Sequence, residues 1–328
     1  MRKRAHSMAE AAFSETPFQQ EAPRGRHARL PFAFSDDFRG KVLRDEPMSR
    51  HTTYRIGGPA RWYVVVESLD ALSRTLRECA RQDVPWTVAG QGSNLLVADA
   101  GYDGAVVVLS GEFKRWSFDE EACRFTAGAA LSLARIVQEA YHRGVAGLEF
   151  AVGTPGTLGG ALRMNAGNRT DWIGSRVDSV TTFGIESGLR RYHGSDIEWG
   201  YRRSSLPANE VVVECEIACE RGRVARIQQK MDAMLKRRKE RQPLGMPSCG
   251  SVFRNPEGGS AGALIEACDL KGRRVGGAQI SEIHGNFIVN TGGATAADVA
   301  ALMKMARDEV MRVHGIELQP EVRFLGFA

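Results

Sequence analysis

Apolar positions along the chain follow two rhythms. Runs of strand type occur at 62–66 (Trp-Tyr-Val-Val-Val), 84–89, 95–97, 105–109 and 211–219, where β-branched and aromatic residues suit a pleated sheet. After the first run, Leu69, Leu72 and Leu76 recur at helical spacing behind Ser68, which reads as an N-cap. A second helix is predicted over 131–141, with Leu133, Ile136, Val137 and Ala140 on one face and Gly144 as its stop. Further helices are predicted near 224–240, over 261–268 and from Thr295 to His314; the last has Asp298 placed for a capping box and Gly315 at its end. Short strands are expected at 125–129, 286–290 and 320–327. The strand–helix–strand order of the first block argues for an α/β layer. Residues 1–36 carry Pro17, Pro23 and Pro31 with little periodicity and read as a disordered tail.

The rhythm breaks most sharply at 147–167, where six of 21 residues are glycine. Each glycine costs a helix or strand interior roughly 0.5–1 kcal/mol relative to alanine, so a turning loop is expected there. Such a loop lets a ligand approach the backbone closely, as a phosphate does on N–H groups. An ordinary glycine-rich loop remains the alternative for this stretch taken alone. A second polar turn, with Gly90, Gly92, Ser93 and Asn94, lies between two apolar runs. It is neither a dinucleotide fingerprint, since Leu95 stands at the third glycine, nor a Walker loop, since no Gly-Lys-Ser/Thr follows.

Composition narrows the class. With 328 residues, 43% of them hydrophobic and 25% charged, the chain can hold two or three domains of a soluble globular protein. No apolar run approaches the roughly 18 residues of a membrane span, and no apolar core follows the basic N-terminus as in a secretory signal, so a cytoplasmic protein with no membrane partner is expected. Of the net charge of +5, residues 1–30 contribute six basic and three acidic side chains. The remainder is near balance, which argues against a nucleic-acid partner. The basic run at 236–241 reads first as a solvated helix end and second as an attractor for a charged nucleotide. Cys215 and Cys219 can share a strand face, but no second Cys/His pair at ligand spacing accompanies them, and no metal site is expected.

Eight segments taken in order carry a resemblance: 53–60 (Thr-Tyr-Arg-Ile-Gly-Gly-Pro-Ala), 90–94 (Gly-Gln-Gly-Ser-Asn), 153–160 (Gly-Thr-Pro-Gly-Thr-Leu-Gly-Gly), 164–167 (Met-Asn-Ala-Gly), 201–204 (Tyr-Arg-Arg-Ser), 250–256 (Gly-Ser-Val-Phe-Arg-Asn-Pro), 284–290 (His-Gly-Asn-Phe-Ile-Val-Asn) and 320–323 (Pro-Glu-Val-Arg). Each is weak alone. Together, over roughly 38–327, they resemble the UDP-N-acetylenolpyruvylglucosamine reductase family, in the shorter type that lacks a tyrosine-bearing insertion. The resemblance implies an α+β chain: a two-subdomain FAD-binding fold of the vanillyl-alcohol-oxidase type, then a C-terminal α/β substrate-binding domain. The implied divisions are 37–110, rejoined by 322–328, then 111–221, then 222–321. It implies non-covalent FAD, NADPH as hydride donor and a UDP-sugar as substrate, reduced to UDP-N-acetylmuramate in peptidoglycan synthesis. It fixes no oligomeric state.

Reducing an enolpyruvyl ether places a hydride on one carbon and a proton on the other, with negative charge passing through an enolate. Such a site needs a cation or donor at the carboxylate and an acid for the carbon. The resemblance implies Arg202 for the first need, although Arg203 beside it is as plausible from the residues alone. It implies Ser251 as proton donor and Glu321 as acidic partner, whose carboxyl beside another carboxylate should titrate high. For FAD it implies Gly90, Gly92, Ser93, Asn94, Pro155, Gly156, Thr157, Gly159 and Gly160, with Arg55 and Asn165. For the substrate it implies Arg254, Asn255, Gln279, His284 and Asn286. Arg163 stands where many members carry a tyrosine, and its role is open. Two competing readings are an FAD oxidase of the same wider fold and a non-catalytic nucleotide-binding protein; bound flavin and UDP-sugar turnover distinguish all three.

Overall fold

A computed structural model describes residue 32 and residues 34–168 and 170–327. The expected tail lies almost wholly outside these residues. Phe32, however, is buried and stacks on Trp62, with ring centroids 4.9 Å apart. Packing onto the first sheet therefore begins before residue 37.

The first sheet has four strands in the order Gly40–Pro47, Pro59–Val66, Tyr102–Leu109, Trp86–Val88. The first pair is antiparallel and the other two are parallel. Parallel neighbours need a crossover, and α1 (Leu69–Arg81) begins one. Ser68 caps it by accepting a hydrogen bond from the Ala71 N–H, and Ala71, Leu72, Leu76 and Cys79 are buried. The strand Gly40–Pro47 escaped the sequence reading because it is an edge, with Lys41, Arg44, Asp45 and Glu46 in place of an apolar rhythm. Charge on an edge also discourages pairing with a second molecule.

The second sheet is antiparallel, ordered Gly188–His193, Val177–Gly184, Val211–Ala218, Arg124–Gly128, Trp116–Asp119. The helix α2 (Leu133–His142) buries Leu133, Ile136, Val137 and Ala140, as its period predicts. The glycine-rich stretch departs from expectation: residues Leu158–Arg163 form a short helix, α3, containing both Gly159 and Gly160. The Gly159 N–H donates to the Ala129 carbonyl at 2.8 Å, and an added Cβ there would lie 3.0 Å from the Ala129 methyl. Close seating of the helix on this strand end offsets the intrinsic cost of its glycines.

Helix α4 (Val224–Arg241) buries Ile227, and Met231, Met234 and Leu235 pack on the core that includes α2. It thus packs with the second subdomain, although residue 222 is the expected start of the C-terminal domain. Beyond it stand α5 (Ala261–Ala267), a three-stranded sheet of Arg274–Val275, Ala278–Ile280 and Ile288–Asn290, and α6 (Ala296–His314). The capping box of Thr295 and Asp298 is formed, and Gly315 closes α6 in the left-handed conformation. The chain then returns: Arg323–Leu325 pairs in parallel with Leu95–Val97 of the first subdomain.

One continuous core joins the first two subdomains, with Trp62, Val64 and Leu72 in the same cluster as Phe125, Ile136 and Val211. The C-terminal domain has its own core, into which the first subdomain inserts Tyr54, Ile56 and Leu96.

Candidate active site

A cavity of about 1080 Å³ runs between the glycine loops, the tip of a hairpin in the second subdomain and the edge of the C-terminal domain. Its size exceeds the usual pocket for a drug-sized ligand and suits a dinucleotide with a second molecule beside it.

The glycine loops form one end. An added Cβ at Gly90 would strike the Thr157 side chain, and one at Gly92, whose φ is +63°, would strike the His51 carbonyl. These two positions therefore require glycine if the loops are to meet. The Gly156 N–H donates to Gln91 Oε1 at 3.0 Å, and a Cβ added at Gly156 would lie 3.1 Å from Ser93 Oγ. Pro155, Thr157, Gly159 and Gly160 line the same wall, and Arg55, exposed and at φ +56°, stands at its edge. A backbone cradle of this kind, with no side chain filling it, fits the phosphates of FAD.

At the other end, Tyr201 and Arg202 make the two-residue tip between Trp199–Gly200 and Arg203–Ser204. Arg202 has φ +56°, a conformation that costs a non-glycine residue about 1 kcal/mol or more. The strain persists because the tip is tied down. Asn165 Nδ2 donates to the Gly200 carbonyl at 3.0 Å, and Arg202 Nη1 donates to the Gly167 carbonyl at 3.2 Å. Arg202 Nε also donates to Glu321 Oε1 at 2.5 Å, while its guanidinium packs over the Tyr201 ring. Arg203 is exposed and lies outside the cavity wall, whereas Arg202 lines it.

Glu321 and Ser251 come from distant segments held side by side. The Glu321 N–H donates to the Val252 carbonyl at 2.8 Å, and its own carbonyl accepts from Asn94 Nδ2 at 3.1 Å. Burial pushes the Glu321 carboxyl above its ordinary value, with the Arg202 and Arg254 cations opposing that shift. The Ser251 hydroxyl lines the cavity and has no hydrogen-bond partner among the described residues; its backbone bridges to Phe287.

Several of the expected contact residues have protein partners in this structure. Asn165 is buried off the cavity, and its amide braces Gly200 and Gly174 rather than facing a cofactor. The five expected substrate residues also lie off the cavity wall. Asn286 clasps both backbone groups of Phe253, at 2.9 and 2.8 Å, and so fixes the segment bearing Ser251. Gln279 is buried and bonds to the Gly272 carbonyl, Glu282 and Arg274. His284, its pKa lowered chiefly by burial, accepts from the Asn286 N–H. Asn255 holds Ala261 through its side chain and Tyr201 Oη through its N–H. Arg254 lies close enough to Glu321 to influence its titration. Apart from Arg254, whose Nε is buried with no hydrogen-bond partner among the described residues, the polar group in each case satisfies a backbone or a neighbour, a need that sequence spacing does not reveal.

Arg163 has a definite place. Its guanidinium, at the end of α3, donates to the carbonyls of Leu206 and Glu210 and closes that side of the cavity. Sequence reasoning met Arg238 only within the basic run at 236–241 and missed Gln91, Arg323 and the 242–247 segment; all line the cavity wall. The signal for the last was its Gly/Pro-rich composition between a helix and the 250–256 motif.

Comparison with known proteins agrees with this layout. Residues 242–325 match the family model described as UDP-N-acetylenolpyruvoylglucosamine reductase, C-terminal domain, and residues 60–185 match that of an FAD binding domain. A UDP-N-acetylenolpyruvoylglucosamine reductase of Heliobacterium modesticaldum is 44% identical over 292 residues, covering 88% of this chain and 92% of its own. One from Alkalilimnicola ehrlichii is 45% identical over 289 residues, with 88% and 96% covered. Among solved structures, the UDP-N-acetylenolpyruvylglucosamine reductase of Thermus caldophilus superposes with a TM-score of 0.76 at 34% identity, over 88% of this chain and 99% of that one.

Proposed function

Since the chain belongs to the UDP-N-acetylenolpyruvoylglucosamine reductase family, we propose that Arg202, Glu321 and Ser251 are the residues with which it performs that family's reaction. The enzyme is an FAD-dependent oxidoreductase that uses NADPH to reduce the enolpyruvyl ether of a UDP-sugar to UDP-N-acetylmuramate for peptidoglycan synthesis. Bound FAD supplies the hydride. Everything else the chemistry requires comes from the chain.

The observation that carries the assignment is the meeting of Arg202, Glu321 and Ser251 on one cavity that also holds the glycine cradle. The Arg202 guanidinium presents a fixed fork to the substrate carboxylate and keeps its charge throughout. Glu321, with its carboxyl favoured in the neutral form by burial, donates a second hydrogen bond to the same group as negative charge develops. Ser251 lines the cavity, and its hydroxyl delivers the proton to carbon. Segments 250–253 and 320–321 are tied through Val252 and Asn286, so the proton donor and the carboxylate clamp keep one mutual geometry. We place the enzyme in the cytoplasm, with its nucleotide-linked substrate.

The test separates the half-reactions under anaerobic conditions. Ser251→Ala should bleach with NADPH at nearly the wild-type rate. Return of the flavin band on adding the enolpyruvyl UDP-sugar should slow by about 10²–10⁴-fold. Equal loss in both halves would remove Ser251 from the proton-donor role.

A further inference from the structure

Arg238 is a cation to which the described residues offer little to bind. It lies near the end of α4, and its side chain lines the cavity beside the 153–157 loop. Its Nε is buried and has no hydrogen-bond partner among the described residues. Its polar side-chain contact there is a long one, Nη1 to Thr154 Oγ1 at 3.4 Å, and no carboxylate pairs with it among those residues. Arg163, the other desolvated arginine on this wall, is instead satisfied by two carbonyls. Stripping water from a guanidinium without replacing its partners costs free energy, about 1–3 kcal/mol for a polar group and more for a charge. A side chain retained at that cost on a cavity wall is poised for a ligand.

The loop is shaped to admit it. Gly153 has φ +69°, and an added Cβ would lie 3.0 Å from Leu235 Cδ2 and 3.4 Å from Arg238 Nε. The bare glycine therefore lets α4 and Arg238 close onto the glycine cradle. The neighbours Lys236, Arg237, Lys239 and Arg241 are exposed, so the helix end also carries a positive field toward the mouth.

Resting on the FAD reading above, we infer that Arg238 grips the adenosine-diphosphate half of FAD and makes the protein select the dinucleotide over FMN. The guanidinium can bond phosphate oxygens or lie over the adenine ring, and both contacts belong to that half of the molecule. Among the other cavity arginines, Arg202 holds Glu321 and Arg163 closes the wall near α3.

The experiment measures binding to flavin-stripped protein by flavin fluorescence, with FAD, FMN and ADP as probes. Arg238→Met should weaken FAD by about tenfold or more, weaken ADP as a competitor by a similar factor, and change FMN less than about twofold. Arg238→Lys should fall between Met and wild type and keeps the charge if the Met variant does not fold. Equal weakening of FAD and FMN would assign Arg238 a purely structural role, and unchanged FAD affinity would show it solvated; either result overturns the inference. Failure of the wild-type protein to bind FAD at all would instead sink the flavin reading on which it rests.

Discussion

Glu321 shows how one side chain can serve stability and chemistry with opposite preferences. Burial raises its pKa, and the cations of Arg202 and Arg254 only partly oppose this. A group whose folded-state pKa is raised contributes fully below its unfolded value and loses that contribution as pH rises through the folded value. Glu321→Gln carries no such titration. The thermal midpoint of the variant should therefore gain on the wild type as pH rises from about 4 to about 7.5. A gap that stays constant over that range would mean that the carboxyl titrates normally. At this scale the sequence was legible only through motif. Nothing in a Tyr-Arg-Arg-Ser string separates Arg202 from Arg203; the turn does, by sending one guanidinium to Glu321 and the other outward. Asn165, Gln279 and Asn286 illustrate the reverse case. Their residue types suit ligands, but they are consumed by backbone groups that the fold would otherwise leave buried and unpaired.

Among elements, α6 carries the clearest local code and an unforeseen long-range one. Its capping box and its Gly315 stop follow from neighbouring residues and were readable from them. Its first turn is also held from the first subdomain: Asp99 Oδ1 accepts from the Ala296 N–H at 2.8 Å and Oδ2 from the Ala297 N–H at 3.0 Å. A carboxylate at a helix N-terminus satisfies orphan donors and meets the positive end of the dipole. Asp99→Ala should cost about 1–2 kcal/mol in denaturant unfolding. A change below about 0.3 kcal/mol would mean that water replaces the carboxylate without penalty. The opposite lesson comes from α3, where glycine content argued against a helix. Propensity is a weak prior, and tight seating against Ala129 overrides it.

The whole molecule is organised so that its two ends build the same site. Residues 323–325 pair with 95–97, the Arg323 N–H bonds the Asn94 carbonyl at 3.0 Å, and Glu321 enters the cavity just before that strand. Removing residues 322–328 should therefore abolish FAD retention through gel filtration rather than merely lower turnover. A truncated protein that emerges with its full complement of flavin would show that the first subdomain closes without its last strand. The periods of two and 3.6, the caps and the glycine stops determined most helices and several of the strands, because those signals act between residues a few positions apart. The ordered motifs fixed the family and, with it, the reaction. What the tertiary structure alone decided is which polar residues remain for chemistry. Arg202 and Glu321 are separated by 119 positions along the chain, and only folding brings a charge, a buried acid and a hydroxyl to one wall while spending their neighbours on backbone partners.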